Sequence, residues 1–423
     1  MHLCVFEDDR AAHFLPLVYT RAVYDLRLGI RSQVDVLRDA FGDTDVVLHC
    51  RGLVARVTSE EHGAPVNELP DGADVLLVNG RWVVEGDKVP DRLRAAAAER
   101  EGRLFMHRDA LLAAWIPGAP PSLLNAEALT PEHLDEQVPG LPVEEIPEAT
   151  LLERLWDLHA YVEPALLRDY AVRTGGLYVY ERPDVTVCDG ALLAAGERIY
   201  IGPGSVVRPG AVLNAEYGPI YIGRSVDIRE RAVIKGPAYV GSSSVVMTGA
   251  DIQGSSLGYA TKIGGQVNGT VVDALSNKAH SGYLGDAYVG RWCNLGAGTN
   301  ASNLRNDYAE TRMYDAATGG FERTGHTFLG LVMGDHSNAG ISTMFNTATV
   351  VGVSCNVFGA GFMPRRIPSF SWGEPGAFTE YRLEKALDVA DVVMKRRNRY
   401  LTDARRENLR RVFEQTRGEV VHR

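Results

Sequence analysis

The sequence predicts an α/β domain followed by an all-β solenoid of hexapeptide repeats and a closing α-helix. Three observations predict the solenoid. Apolar residues recur every six positions at Ile222, Ile228, Ile234, Val240, Val246 and Ile252, and again at Met333, Ala339, Phe345, Val351 and Val357. The residue four places later is nearly always small: Ala232, Ala238, Ser244 and Ala250 in the first run, Ser337, Thr343, Thr349 and Cys355 in the second. Glycine often follows the apolar residue directly, as in Ile222-Gly223, Val240-Gly241 and Leu295-Gly296.

A helix repeats its apolar positions at 3.6 residues and a flat strand at two, so neither produces this rhythm. A triangular β-solenoid does. Each hexad is a short strand plus a corner, three hexads close a turn, and turns stack about 4.8 Å apart. The apolar residue fills the interior and the small one fits the corner. The pattern predicts a left-handed parallel β-helix over about residues 199–360, inside a domain spanning 184–372. Two segments, 255–279 and 306–327, break the rhythm and are expected as loops extruded from the coil, where binding faces often form.

Residues 1–147 read as α/β. Val46–Leu48, Val75–Val78 and Leu104–Met106 are short apolar runs of β type, and Val34, Leu37 and Phe41 share one helical face ended by Gly42. Pro117–Pro121 reads as a loop. Residues 148–183 form a linking segment, with a helix over 151–170 bent at Pro164. Residues 373–423 are helical, with Leu383, Leu387, Ala390, Met394 and Leu401 in a stripe. Lys395, Arg396, Arg397 and Arg399 lie off it, as a solvated face or as a cationic patch for an anionic ligand.

Composition narrows the function. The 423 residues carry a formal charge of −10, which argues against nucleic acid as a principal partner. The five cysteines are scattered, with no CxxC pair, as expected of small buried residues in a reducing compartment. No apolar run is long enough to span a membrane, and the first residues are too short a run for a signal peptide, so the expected setting is the cytoplasm.

Residues 277–305 add His280, Tyr283, Asn294 and Asn303 to the repeat, polar groups that a purely structural coil does not require. His280, Tyr283, Leu284-Gly285-Asp286, Asn294, Gly296-Ala297-Gly298-Thr299 and Asn303 follow one another in a specific order and spacing. This window resembles the acetyltransferase half of the bifunctional N-acetylglucosamine-1-phosphate uridylyltransferase/glucosamine-1-phosphate acetyltransferase family. The segments Phe14–Gly29, Trp156–Tyr170 and Met333–Gly373 resemble an alternate sugar nucleotidyltransferase/acetyltransferase variant of it.

The resemblance implies acetyl transfer from acetyl-CoA to an amino-sugar phosphate, with His280 as general base and Asn294 stabilising the oxyanion. An imidazole titrating near neutrality suits that role. Tyr283 and Asn303 would position the sugar, while Ala297, Ser342 and Ala360 would contact the coenzyme. A homotrimer is implied, because sites in that family lie between neighbouring coils.

Departures from the family's pattern bear on the substrate. Leu304 stands where the family has Tyr, and Asn268 near the place of a phosphate-binding Lys; Lys262 and Lys278 are candidates to substitute, or are plain exposed lysines. The family's Gly-rich nucleotide loop is replaced by Phe6-Glu7-Asp8-Asp9-Arg10. Arg10 and Arg21 are the candidates for nucleotide phosphate contacts, with UTP or dTTP as substrate and Mg²⁺ only if this domain is active. No resident metal is expected: His280, His326 and His336 lack the spacing of a zinc site. Two alternatives stay open: nucleotidyl transfer without acetyl transfer, and a non-catalytic trimeric scaffold that binds sugar nucleotides.

Overall fold

The computed structural model describes residues 1–42, 44–99, 101–175 and 184–420. It divides into two compact units. One comprises Met1–Leu26, Arg31–Leu155 and Thr402–Arg411, the other Arg27–Ile30, Trp156–Leu401 and Val412–Arg423. Among the described residues no helix is long and apolar enough to cross a membrane.

The first unit is built on β1 (His2–Phe6), β2 (Asp45–His49), β3 (Ala73–Asn79), β4 (Trp82–Val83), β5 (Arg103–His107), β6 (Ala110–Ala119), β7 (Val143–Glu145) and β8 (Thr150–Leu151). Six of these form one mixed sheet in the order β2-β1-β3-β6-β5-β7, with β4 pairing β8 separately. β1 is parallel to both neighbours, and Leu3, Cys4, Val5 and Phe6 are all fully buried, as a central parallel strand covered on both faces requires. Helix α1 (Gln33–Phe41) starts at a Ser32/Asp35 capping box and stops at Gly42, whose φ of 74° suits a residue without a Cβ. The helices α2 (Ala55–His62), α3 (Lys88–Ala98) and α4 (Pro131–Gln137) complete the unit.

Here the expected loop at Pro117–Pro121 is corrected. Pro117 and Gly118 lie inside the end of β6, where the register with β3 shifts between Ala73 and Val75. That bulge accommodates a proline in a paired strand. The expected linking helix is also revised. Leu151 belongs to β8, and the helical part is α5 (Asp157–Ala160) and α6 (Val162–Thr174). Pro164 is the third residue of α6, in the first turn, where its missing N–H breaks no helical bond and no bend is needed.

The second unit contains the left-handed solenoid, three sheets of eight, nine and eleven strands that start from Thr186–Val187 and are parallel except where the closing β-hairpin pairs Ser371–Glu374 with Ala377–Glu380. The hexad residues stack in register: Ile222 on Val240, Ile228 on Val246, Ile234 on Ile252. All six are fully buried. The rhythm therefore reports the coil interior directly.

Of the two interruptions, only one leaves the coil. Residues 306–327 do, and form an antiparallel hairpin of Arg312–Asp315 and Gly320–Arg323. Residues 255–279 do not. Leu257, Ile263, Val267 and Val272 continue the buried interior. Ile234 pairs with a residue eighteen places on, but Ile252 pairs with Val267, fifteen on. Shortened corners break the six-residue spacing while the sheets run on.

After the coil come two helices rather than one, α7 (Leu383–Lys395) and α8 (Asp403–Thr416). Helix α7 buries Ala386, Leu387, Ala390 and Met394. Of the bases beyond its stripe, Lys395 pairs with Asp391 at 2.6 Å, and Arg397 donates to the Asn277 side chain at 2.8 Å and the Ala260 carbonyl at 3.2 Å.

Candidate functional site

One corner of the solenoid gathers four of the candidate residues. Gly298 N–H donates to the Ser281 carbonyl at 3.0 Å, and Ser342 N–H donates to the Ala297 carbonyl at 2.7 Å. Gly340 N–H donates to the Val357 carbonyl at 2.7 Å, which brings the turn carrying Ala360 onto the one carrying Ser342. His280, Ala297, Ser342 and Ala360 thus occupy successive rungs of a single edge. Rungs about 4.8 Å apart make this a column some 15 Å long. His280 and Ser342 are exposed, as are Ala360 and, at 75 %, Ile341. The edge combines an open imidazole with small side chains that leave room beside it. Gly282 makes the turn possible: its φ is 119°, and a Cβ there would lie 2.0 Å from the Thr299 carbonyl oxygen.

A second group forms at the other end of the same strand, Tyr283–Gly285. Tyr283 lies across Gly285, where a Cβ would stand 2.3 Å from the phenol oxygen and 2.8 Å from Asn303 Nδ2. Asn303 Nδ2 donates to Asp286 Oδ2 at 2.5 Å from the next rung. His159 Nε2 is 3.6 Å from the other Asp286 oxygen, and its ring meets that of His326 edge-on at 6.4 Å. Burial raises the Asp286 pKa, against the opposing pull of His159 and Asn303. Burial and then Asp286 raise that of Tyr283. The adjoining groove encloses about 370 Å³ and is lined by His159, Glu163, Tyr217, Gln253, Asn268 and Asp286. Amides, carboxylates and an exposed aromatic ring are the groups that hold hydroxyl-rich ligands.

The remaining candidates are spread. Asn294 is exposed on a flat face, stacked between Asn277 and Asn338. Lys262 is exposed on the same face, paired with Asn277, so it stands on a strand of the coil and not on a loop. Lys278 departs most from expectation. It takes an interior position, stacked on Ile263, and is 1 % exposed. Its amine donates to the Gly264 carbonyl at 2.9 Å and the His280 carbonyl at 3.0 Å, and burial lowers its pKa to about 8. It holds the His280 turn from inside and does not face a ligand. Cys293 and Cys355 are buried, and burial pushes the Cys355 thiol up to about 12, in keeping with packing.

In the first unit, the carboxyl ends of β1, β2 and β3 meet where open α/β sheets usually bind ligands. Here charged side chains of the chain itself fill that edge. Glu7 pairs with Arg51 at 2.9 Å, and Arg81 Nε donates to Asp8 Oδ1 at 2.8 Å. Asn79 Nδ2 donates to Asp8 Oδ2 at 2.9 Å, and Asn79 and Arg81 are fully buried. Glu7 and Asp8 are therefore neutralised internally. Arg21 is only 1 % exposed, which removes it as an open phosphate contact, and Arg10 is held by Glu153 at 2.6 Å and by Asp109.

These features can be set beside known proteins. Residues 3–177 match the family model described as sugar nucleotidyl transferase. The protein is 23 % identical over 335 residues to the Bifunctional protein GlmU of Thermotoga sp. (strain RQ2), covering 70 % of this chain and 73 % of that one. It is 29 % identical over 216 residues to the Bifunctional protein GlmU of Nocardia farcinica (strain IFM 10152), covering 47 % of this chain and 40 % of that one. The chain is thus similar to GlmU proteins over part of its length. Among solved structures it resembles a UDP-N-acetylglucosamine acyltransferase from Campylobacter jejuni, with 12 % identity, a TM-score of 0.27, and 54 % of this chain and 94 % of that chain covered. The corresponding enzyme from Francisella novicida gives 12 % identity, a TM-score of 0.26, and coverage of 56 % and 91 %.

Sequence reasoning missed His159 and His326 as neighbours of the Tyr283–Asn303 pair. Asp286 was visible inside the Leu284-Gly285-Asp286 motif, but only its neighbours show that it joins two rungs. Nothing in the spacing could bring His159 from α5 beside it.

Proposed function

We propose that the protein transfers an acetyl group from acetyl-CoA to an amino-sugar 1-phosphate, as a cytoplasmic homotrimer serving nucleotide-sugar synthesis of the UDP-N-acetylglucosamine type. The observation that carries this reading is the edge on which His280, Ala297, Ser342 and Ala360 follow one another rung by rung. Its exposed imidazole is positioned to accept a proton, and its small residues leave space for a thioester arm.

In this reading the amine nitrogen attacks the thioester carbonyl carbon while His280 takes the proton that nitrogen gives up. The tetrahedral oxyanion is met by the Asn294 amide or by backbone N–H groups of the corner. Collapse breaks the C–S bond, and the departing thiolate takes up the proton that His280 received. Asn303, Tyr283 and Asp286 form a rigid polar group that orients the sugar. Release of CoA with glucosamine 1-phosphate, in wild type and His280→Ala, tests the reading. Equal rates remove His280 as base, and no release with any amino sugar favours the non-catalytic scaffold.

A second activity, sugar-1-phosphate nucleotidyl transfer in the first unit, is favoured by the family match over residues 3–177. The internally paired Asp8, Arg81, Glu7 and Arg51 argue for weak or absent turnover there. Pyrophosphate release from UTP or dTTP with sugar phosphate and Mg²⁺ separates the two.

A further inference from the structure

A larger cavity, about 460 Å³, lies where the extruded segment leaves the coil, with Ser302, Leu304 and Thr311 on one side and Asn346, Thr347 and Phe362 of the later coils also lining it. Its walls include Arg305, Asp307, Asn346, Phe362 and Arg365. Its charged lining consists of two arginines and one aspartate. Arg365 is partly buried, and burial, then the charges of Arg305 and Arg312, pull its pKa below the ordinary guanidinium value. One arm of Arg365 donates to the Arg312 carbonyl, and its guanidinium sits 5.0 Å from the centre of the Phe321 ring. Its Nε is shielded from water and has no hydrogen-bond partner among the described residues.

The carboxylate on the wall does not meet this need. Asp307 is already held by Arg305 through two bonds of 2.9 and 2.6 Å. Guanidiniums that repel one another, one of them with a desolvated and unsatisfied donor, carry a cost that an anion in the cavity would offset. A phosphate ester suits them best. Its several acceptor oxygens match the forked donors, and its charge answers more than one arginine. Phe362, 58 % exposed at the rim, offers an apolar contact for the rest of an ester, which a free ion could not use.

We propose that this cavity is a phosphate-ester site in which Arg365 and Arg305 hold the phosphate. It goes beyond the acetyl-transfer reading and does not depend on it. The phosphate could belong to an acceptor sugar or to a coenzyme, and the chemistry of the site is the same for both.

Calorimetric titration of the full-length protein with inorganic phosphate tests it. Wild type is expected to bind, more weakly as salt rises, and Arg365→Gln and Arg305→Gln to lose about tenfold or more in affinity. Arg305 is a surface residue, so its variant remains informative should Arg365→Gln fail to fold. Arg323→Gln, on the hairpin but outside the cavity's lining, is expected to bind like wild type. Competition by glucosamine 1-phosphate but not glucosamine assigns the site to a sugar phosphate, and competition by coenzyme A assigns it to the coenzyme; either supports the proposal. No binding by wild type, or undiminished binding in both arginine variants, overturns it. Retention of phosphate binding by a His280→Ala protein that releases no CoA separates this site from the proposed chemistry.

Discussion

Asn303 donates its side-chain N–H to Asp286 Oδ2 at 2.5 Å, tying two successive rungs of the solenoid at one corner. The contact favours the charged form and partly opposes the burial that raises this carboxyl's pKa. Replacing Asn303 with Ala is expected to raise the Asp286 pKa further and to weaken acceptor binding. A hydrogen bond to a charged group is worth about 1.5–3 kcal/mol, so KM for the amino sugar should rise about tenfold or more. Steady-state kinetics across pH would show it; an unchanged KM would leave the pair a purely structural tie.

Gly285 provides the opening in which Tyr283 lies. A Cβ at 2.3 Å from the phenol oxygen must displace the ring, which is the far end of a movable side chain. Gly285→Ala should therefore keep the fold and lower acceptor use. Thermal unfolding beside kinetics decides between this and a general loss of stability.

His280→Ala should lower kcat by about 10²–10⁴-fold, the usual worth of a positioned general base, with little change in unfolding. The exposed ring supports no packing that its removal would undo. A loss of stability in step with activity would assign the residue a structural part instead.

Lys278 should reveal itself through pH. Its folded pKa is about 8, below the ordinary value of about 10.4, so between these two the unfolded chain holds more protons. Stability relative to Lys278→Met should then rise as pH climbs from 8 toward 10. Lys278→Ala should cost about 2–4 kcal/mol through the cavity it leaves in the coil, and Lys278→Met much less. Urea midpoints across that pH range are the measurement.

His62 gives the opposite slope. Burial alone would lower its pKa, but the hydrogen bond and charge of Asp25, 2.7 Å away, raise it overall. The pair's contribution is complete below the unfolded value near 6.5 and is lost as pH rises through the higher folded value. The urea midpoint should fall across that window, and His62→Gln should flatten the fall.

The six-residue rhythm determined the coil by itself, because every apolar residue in it meets its neighbour on the next rung and must be buried there. The sequence also placed the His280 window within the repeat. It could not place what depends on several rungs at once. Lys278 looked like a loop lysine until the continuous coil around 255–279 turned it inward, and its neighbours in the stack, not its own spacing, set that direction. His159 reached Asp286, and Arg365 came to face Arg305, across long stretches of chain. Such meetings are fixed by how turns stack and hairpins fold back, a property of the packed coil that no local pattern encodes.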